Sequence, residues 1–252
     1  RCYRSFTGKN DSNGKRQGRS LRVIKGAIFD IDGTLLDSMP VWENAGARYL
    51  ATLGIKARSD LKERLDALSL PEGALYMQTE YKLSVTIEEI LEGVNQVVKD
   101  FYFKEAVLKP GVCDLIQKLK KNKVRLIIAT ATDAEMAKAA LIRNGIWKDF
   151  DGMITCEEAG AGKTSPKVFE LAREHLQTKK EETWVFEDSL YAVKTASKAG
   201  FPVCSIYDAY SRDNTEEIRT FSDIYVKNFY EIESCQVFQR KKQQLHRLSE
   251  RR

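Results

Sequence analysis

The 252-residue chain contains no run of eighteen or more apolar residues, so no stretch of it suits a membrane-spanning helix. Its polar, basic first twenty residues lack the apolar segment of a secretory signal, and the expected address is the cytoplasm. Histidine is scarce: His175 and His246 are the only two, too few for a multi-histidine metal site. Cys2, Cys113, Cys156, Cys204 and Cys235 are odd in number, scattered and without a C-x-x-C pair, which argues against a disulfide framework or a zinc knuckle. They read as reduced packing thiols. With 42% hydrophobic and 31% charged residues, collagen-like, low-complexity and disordered classes are excluded.

A net charge of +5 suggests a nucleic-acid partner until its distribution is examined. Residues 1–25 hold eight Lys/Arg against Asp11, and residues 231–252 hold six against Glu231, Glu233 and Glu250. The ends thus take 14 of the 41 basic residues and 4 of the 36 acidic ones, leaving 27 basic and 32 acidic over residues 26–230. The body of the chain is acidic, at −5. Residues 1–22 read as a basic mobile tail, favoured as foreign to the natural protein over an arm for RNA, DNA or acidic lipid. The basic tail at 231–252 could form an amphipathic helix.

Between the tails, short β-branched or aromatic runs alternate with helical patterns, the signature of an α/β fold built on a parallel sheet. Strands are expected at Val23–Asp30, Val124–Thr130, Gly152–Cys156, Thr183–Glu187 and Pro202–Tyr207. Helices are expected at Cys113–Lys121, Ala134–Asn144, Ser165–Leu176 and Ser189–Ala199, two of them closed by Gly145 and Gly200. More than ninety residues separate the first two strands. They hold a helix opened by Ser38 and Pro40, then helical stretches at Ser59–Ser69, Pro71–Leu83 and Thr86–Lys104, without a strand-like run. The expected architecture is a Rossmann-like core of residues 23–36 and 107–230, with an all-helical cap of residues 37–106 inserted after the first strand. Such an insert emerges at the carboxyl end of that strand, where open α/β sheets bind ligands.

That strand ends in Asp30-Ile31-Asp32-Gly33-Thr34. Carboxylates at i and i+2 on an extended strand would share a face and require a cation or a shared proton, and a hard ion such as Mg2+ supplies the first. Gly33 permits a turn whose N–H groups could face an anion.

Here the chain resembles the haloacid dehalogenase superfamily, whose first motif is D-x-D-G-T. Leu126 to Thr132 resembles its second, an apolar strand closed by a phosphate-binding Thr or Ser. Gly162-Lys163-Thr164-Ser165-Pro166 resembles its G-K-P-x-P segment, and Trp184 to Ser189 its strand ending in two acids. The resemblance spans about residues 23–230, within subfamily I, which carries a helical C1 cap, and near the β-phosphoglucomutase and sugar-phosphate phosphatase group. It implies that Asp30 is the nucleophile and Asp32 the general acid and base. Asp32 also argues against the dehalogenase branch, which lacks this acid. It further implies that Thr130, Ala131 and Gly33 bind the phosphoryl group and that Lys163, rather than Lys167, balances charge. Asp30, the Asp32 carbonyl, Glu187 and Asp188 would hold Mg2+, with the choice of direct ligand between the last two open.

Two departures concern loop shape: Thr164 stands where proline is usual and Ala192 where glycine is common. His175 reads as a bystander. Trp147 and Trp184 read as packing residues, whereas Trp42, at the start of the insert, is an exception.

A cap of this size suits a small phosphorylated metabolite, and the expected activity is hydrolysis of a phosphorylated sugar or polyol. A phosphosugar mutase is the alternative. Mutases of the group carry an arginine in a cap segment like G-x-S-R-x-x-S-L, and the nearest stretch here, Ala67 to Leu75, has Leu70 at that place. A nucleic-acid or membrane-surface module using the basic ends is the rival from another class, and both partners are disfavoured. Oligomeric state is not legible.

Overall fold

The computed structural model describes residues 24–66 and 68–234. Expectations for the N-terminal tail, for residues 235–252 and for Cys2, Ala67, Cys235 and His246 lie outside the described residues. Among the described residues the first element is β1 (Gly26–Phe29), followed by α1 (Met39–Thr52), α2 (Leu61–Leu65), α3 (Leu70–Glu80) and α4 (Ile87–Lys104). The chain continues through α5 (Val112–Lys121), β2 (Arg125–Thr130), α6 (Ala134–Arg143), β3 (Met153–Thr155), α7 (Cys156–Ala159) and α8 (Lys167–Leu176). Then come β4 (Thr183–Glu187), α9 (Leu190–Lys198), β5 (Val203–Ile206), α10 (Thr215–Phe221) and β6 (Ile224–Val226), with a 3-10 turn at Phe229–Ser234 after it.

The six strands among the described residues form one sheet in the order β3-β2-β1-β4-β5-β6, all neighbours parallel. Its fold class is the Rossmann-like α/β one, with β1 near the middle. Ala27, Ile28 and Phe29 are wholly buried, as expected of a strand covered on both faces. Ile28 joins Ile127, Ala129, Val185 and Val203 in a core with Val168, Phe169 and Ala172 of α8 and Ala192, Val193 and Ala196 of α9. Ala192 is wholly buried in that core.

Two structural units are distinct: the described residues up to Asp37 together with those from Leu108 onward, and Ser38–Val107. The second is wholly helical among its described residues and has its own core of Tyr49, Leu50, Leu61, Ala74, Met77 and Ile90. Its longest helix, α4, starts at a reciprocal cap: Thr86 Oγ1 accepts from Glu89 N at 3.2 Å while Glu89 Oε2 accepts from Thr86 N at 2.7 Å. Gly93 lies inside α4, where glycine is ordinarily unfavourable. A Cβ there would sit 2.2 Å from the Tyr49 ring, so glycine lets α1 and α4 approach.

Three element expectations need correction. β1 stops at Phe29 because the chain turns at the Ile31 carbonyl, which accepts from Thr34 N, Leu35 N and Leu36 N at 3.2, 2.8 and 2.8 Å. The helix expected over Ser59–Ser69 is only the five residues of α2. β6, absent from the expected strands, is three residues long, too short to show an alternating pattern.

Candidate active site

Strand register brings the acids together. Phe29 pairs with Phe186 of β4, and Asp30 N donates to Phe186 O at 3.0 Å, so Asp30 and Glu187 leave adjacent strands one residue beyond the same rung. Lys163, in the loop before α8, inserts between them. Its Nζ donates to Asp30 Oδ1 and to Glu187 Oε1, the latter at 2.7 Å. Asp30, Lys163, Glu187 and Asp188 are only 7%, 4%, 1% and 3% exposed, so their charges must be balanced locally. Lys167 is exposed on α8. The geometry selects Lys163.

Glu187 has both oxygens engaged. Oε1 holds Lys163, and Oε2 accepts from Asp188 N, Ser189 N and Ser189 Oγ at 3.1, 3.3 and 3.0 Å. Asp188 is held through Oδ1, which accepts from Thr34 Oγ1 at 3.0 Å. Its other oxygen faces Gly33, whose φ is +78° and where a Cβ would fall 2.5 Å from Asp188 Oδ2. Glycine is therefore required by close approach. The Gly33 N–H donates inside the turn to Leu36 O at 3.0 Å, which corrects the expectation of an anion-facing amide at this residue.

Burial raises Asp30 to about 7, with Lys163 opposing the rise and the Glu187 and Asp32 charges adding to it. Burial likewise carries Asp188 well above the usual carboxylate range, helped by Glu187, Asp30 and Asp208. For Lys163, burial works to lower the ammonium's value, but the Asp30 and Glu187 carboxylates outweigh it and the net direction is upward. The lysine is a fixed cation. Asp30, Glu187 and Asp188 each place an oxygen within 4.8 Å of the others'. Fully ionised, the three carboxylates would exceed the one ammonium by two negative charges, and an all-oxygen donor set of that charge fits a hard divalent cation.

Asp32 is only partly buried, and its carboxylate is not in this group of three. Its Oδ2 accepts from Thr132 Oγ1. β1 ends at Phe29, before both acids, yet the Asp32 charge is still felt at Asp30. Thr130 ends β2, fully buried, and its Oγ1 accepts from Thr132 N at 3.0 Å. Ala131 is exposed beside it.

Sequence reasoning missed Thr132, Thr34 and Ser189, which orient Asp32, Asp188 and Glu187. Each lies within two residues of an expected site residue, so hydroxyls flanking the motif acids were the available signal. The bystanders are separate. His175 is exposed, 3.3 Å from Asp151 O, and Trp184 is buried in β4. Trp147 lies under the Lys138 ammonium, while the indole N–H of Trp42, 47% exposed, donates to Tyr102 Oη within the helical unit. Cys113, Cys156 and Cys204 are free thiols.

Residues 27–206 match the family model described as haloacid dehalogenase-like hydrolase. A phosphorylated carbohydrates phosphatase of Thermotoga maritima is 28% identical over 177 residues, covering 70% of this chain and 82% of that protein. Hexitol phosphatase B of Escherichia coli K12 is 26% identical over 151 residues, covering 59% and 68%. Among solved structures, CbbY from Rhodobacter sphaeroides in complex with phosphate has a TM-score of 0.65 and 25% identity, covering 86% of this chain and 100% of that one.

Proposed function

Since the chain belongs to the haloacid dehalogenase-like hydrolases, we propose that it is a Mg2+-dependent phosphatase acting on a small phosphate monoester through an aspartyl-phosphate on Asp30. A phosphorylated sugar or polyol is the favoured substrate class, supported by the named activities of the carbohydrate and hexitol phosphatases. The observation that carries the reading is a buried carboxylate, Asp30, set between a fixed ammonium and two further acids.

Asp30 attacks phosphorus, forming a new P–O bond as the ester P–O bond breaks. Asp32 gives its proton to the departing alcohol, then takes one from the water that hydrolyses the aspartyl-phosphate. Thr132 holds the Asp32 carboxylate for both transfers. Lys163 favours the ionised form of Asp30 and offsets charge gathering on the phosphoryl oxygens, which Thr130 and the Ala131 backbone cradle. Asp30, Asp188 and the Asp32 carbonyl would hold Mg2+, which would supply the remaining positive charge. Glu187, with both oxygens engaged, anchors Lys163 beside Asp30.

Asp30→Asn keeps shape and removes the nucleophile, so phosphate release should vanish across a panel of phosphorylated sugars and polyols and for 4-nitrophenyl phosphate. Retained turnover would overturn the mechanism. Wild-type conversion of a hexose phosphate to its isomer, without phosphate release, would assign a mutase instead. Full turnover after removal of residues 1–22 is expected, since the proposed machinery lies in the acidic body; its loss would restore the tail-centred alternative.

A further inference from the structure

Lys109 and Asp208 form a charged pair with side chains only 10% and 6% exposed, and the mechanism above uses neither. Lys109 Nζ makes three bonds, to Asp208 Oδ2 at 2.7 Å, Gly33 O at 2.7 Å and Tyr207 O at 2.9 Å. Every donor of the ammonium is thereby spent on a fixed acceptor. Its own backbone N–H donates to Leu35 O at 2.9 Å, and Asp208 Oδ1 accepts from Tyr210 N at 2.8 Å. The pair thus ties the segment re-entering the core to the turn after β1 and to the loop after β5.

That turn bears directly on Asp188. Gly33 abuts Asp188 Oδ2 and Thr34 donates to Oδ1, so the carboxylate's two oxygens are placed by the turn that Lys109 holds. Asp208 is close enough to Asp188 for its charge to be felt there. A buried ion pair of this kind is a weak source of stability compared with apolar packing. We propose that Lys109 and Asp208 are positioning residues for the divalent-cation site, fixing the Asp32-Gly33-Thr34 turn so that Asp188 meets the cation in one geometry. This rests on the reading of Asp30 and Asp188 as cation ligands.

The test is Mg2+ binding without substrate, followed by calorimetry and by the Mg2+-induced rise in melting temperature. Lys109→Met combined with Asp208→Asn removes both charges and strands neither. Its affinity for Mg2+ should fall about tenfold or more, as for outer-shell partners of other metal sites, while its metal-free melting temperature stays near wild type. Lys109→Arg, which keeps charge and donors, should recover part of that loss. An unchanged affinity in the folded double variant would overturn the inference. Should the double variant not melt cooperatively, Asp208→Asn alone, nearly isosteric, decides the matter: weaker binding supports the pair's role and wild-type binding refutes it. Failure of the wild-type protein to bind Mg2+ would instead overturn the cation-site reading beneath it.

Discussion

Hydroxyl groups do much of the aiming in this site. Thr132 Oγ1 on Asp32, the proposed general acid, is the contact with the clearest kinetic consequence, because such an acid matters most when the leaving group is a poor one. Thr132→Val should lower kcat for an alkyl phosphate about tenfold or more, but lower it much less for 4-nitrophenyl phosphate, whose leaving group needs little protonation. Thr132→Ser should restore the alkyl activity. Equal losses on the two substrates would show that Thr132 serves only to hold the loop. The acids and lysine were legible in the sequence because charged residues at strand ends stand out against apolar runs. The threonines were not, because a hydroxyl is neutral in composition and gains its meaning only from the partner 100 residues away that the fold supplies.

At the level of elements, helices with capping signals or closing glycines were legible to within a few residues, whereas α2 and β6 were misjudged or missed. Five and three residues are too few for a period to declare itself, and these elements owe their existence to neighbours: Leu61 to the helical core, Val226 to burial beside β5. Gly93 makes the same point in reverse. By propensity alone, Gly93→Ala should stabilise α4 by about 1 kcal/mol. The Tyr49 ring in the way reverses the sign, and overpacking should cost about 1–3 kcal/mol in urea unfolding. A gain in stability would mean that α1 and α4 can separate freely.

For the molecule as a whole, the buried acids link stability to pH and metal. In metal-free protein Asp30 holds its proton up to about 7, against 3.8 when unfolded. Between those values the folded state binds more protons than the unfolded one, so this contribution to stability declines as pH rises and levels off above 7. Asp188 acts in the same direction. Mg2+ favours the ionised carboxylates, and its stabilisation should be larger at pH 8 than at pH 5.5. Melting temperatures in chelator and in Mg2+ at the two values check this; a larger Mg2+ effect at pH 5.5 would contradict it.

The position of β1 has a temporal consequence. Its partners in the sheet arrive late: Gly26 pairs with Arg125 on one side and with Thr183 on the other. A chain emerging from the ribosome therefore exposes this wholly buried strand long before either neighbour exists, while the helical unit, whose core lies within Ser38–Val107, can consolidate first. Asp30 waits for Glu187 and Asp188, so the proposed nucleophile acquires its surroundings only when β4 docks, and no shorter nascent fragment carries the assembled site.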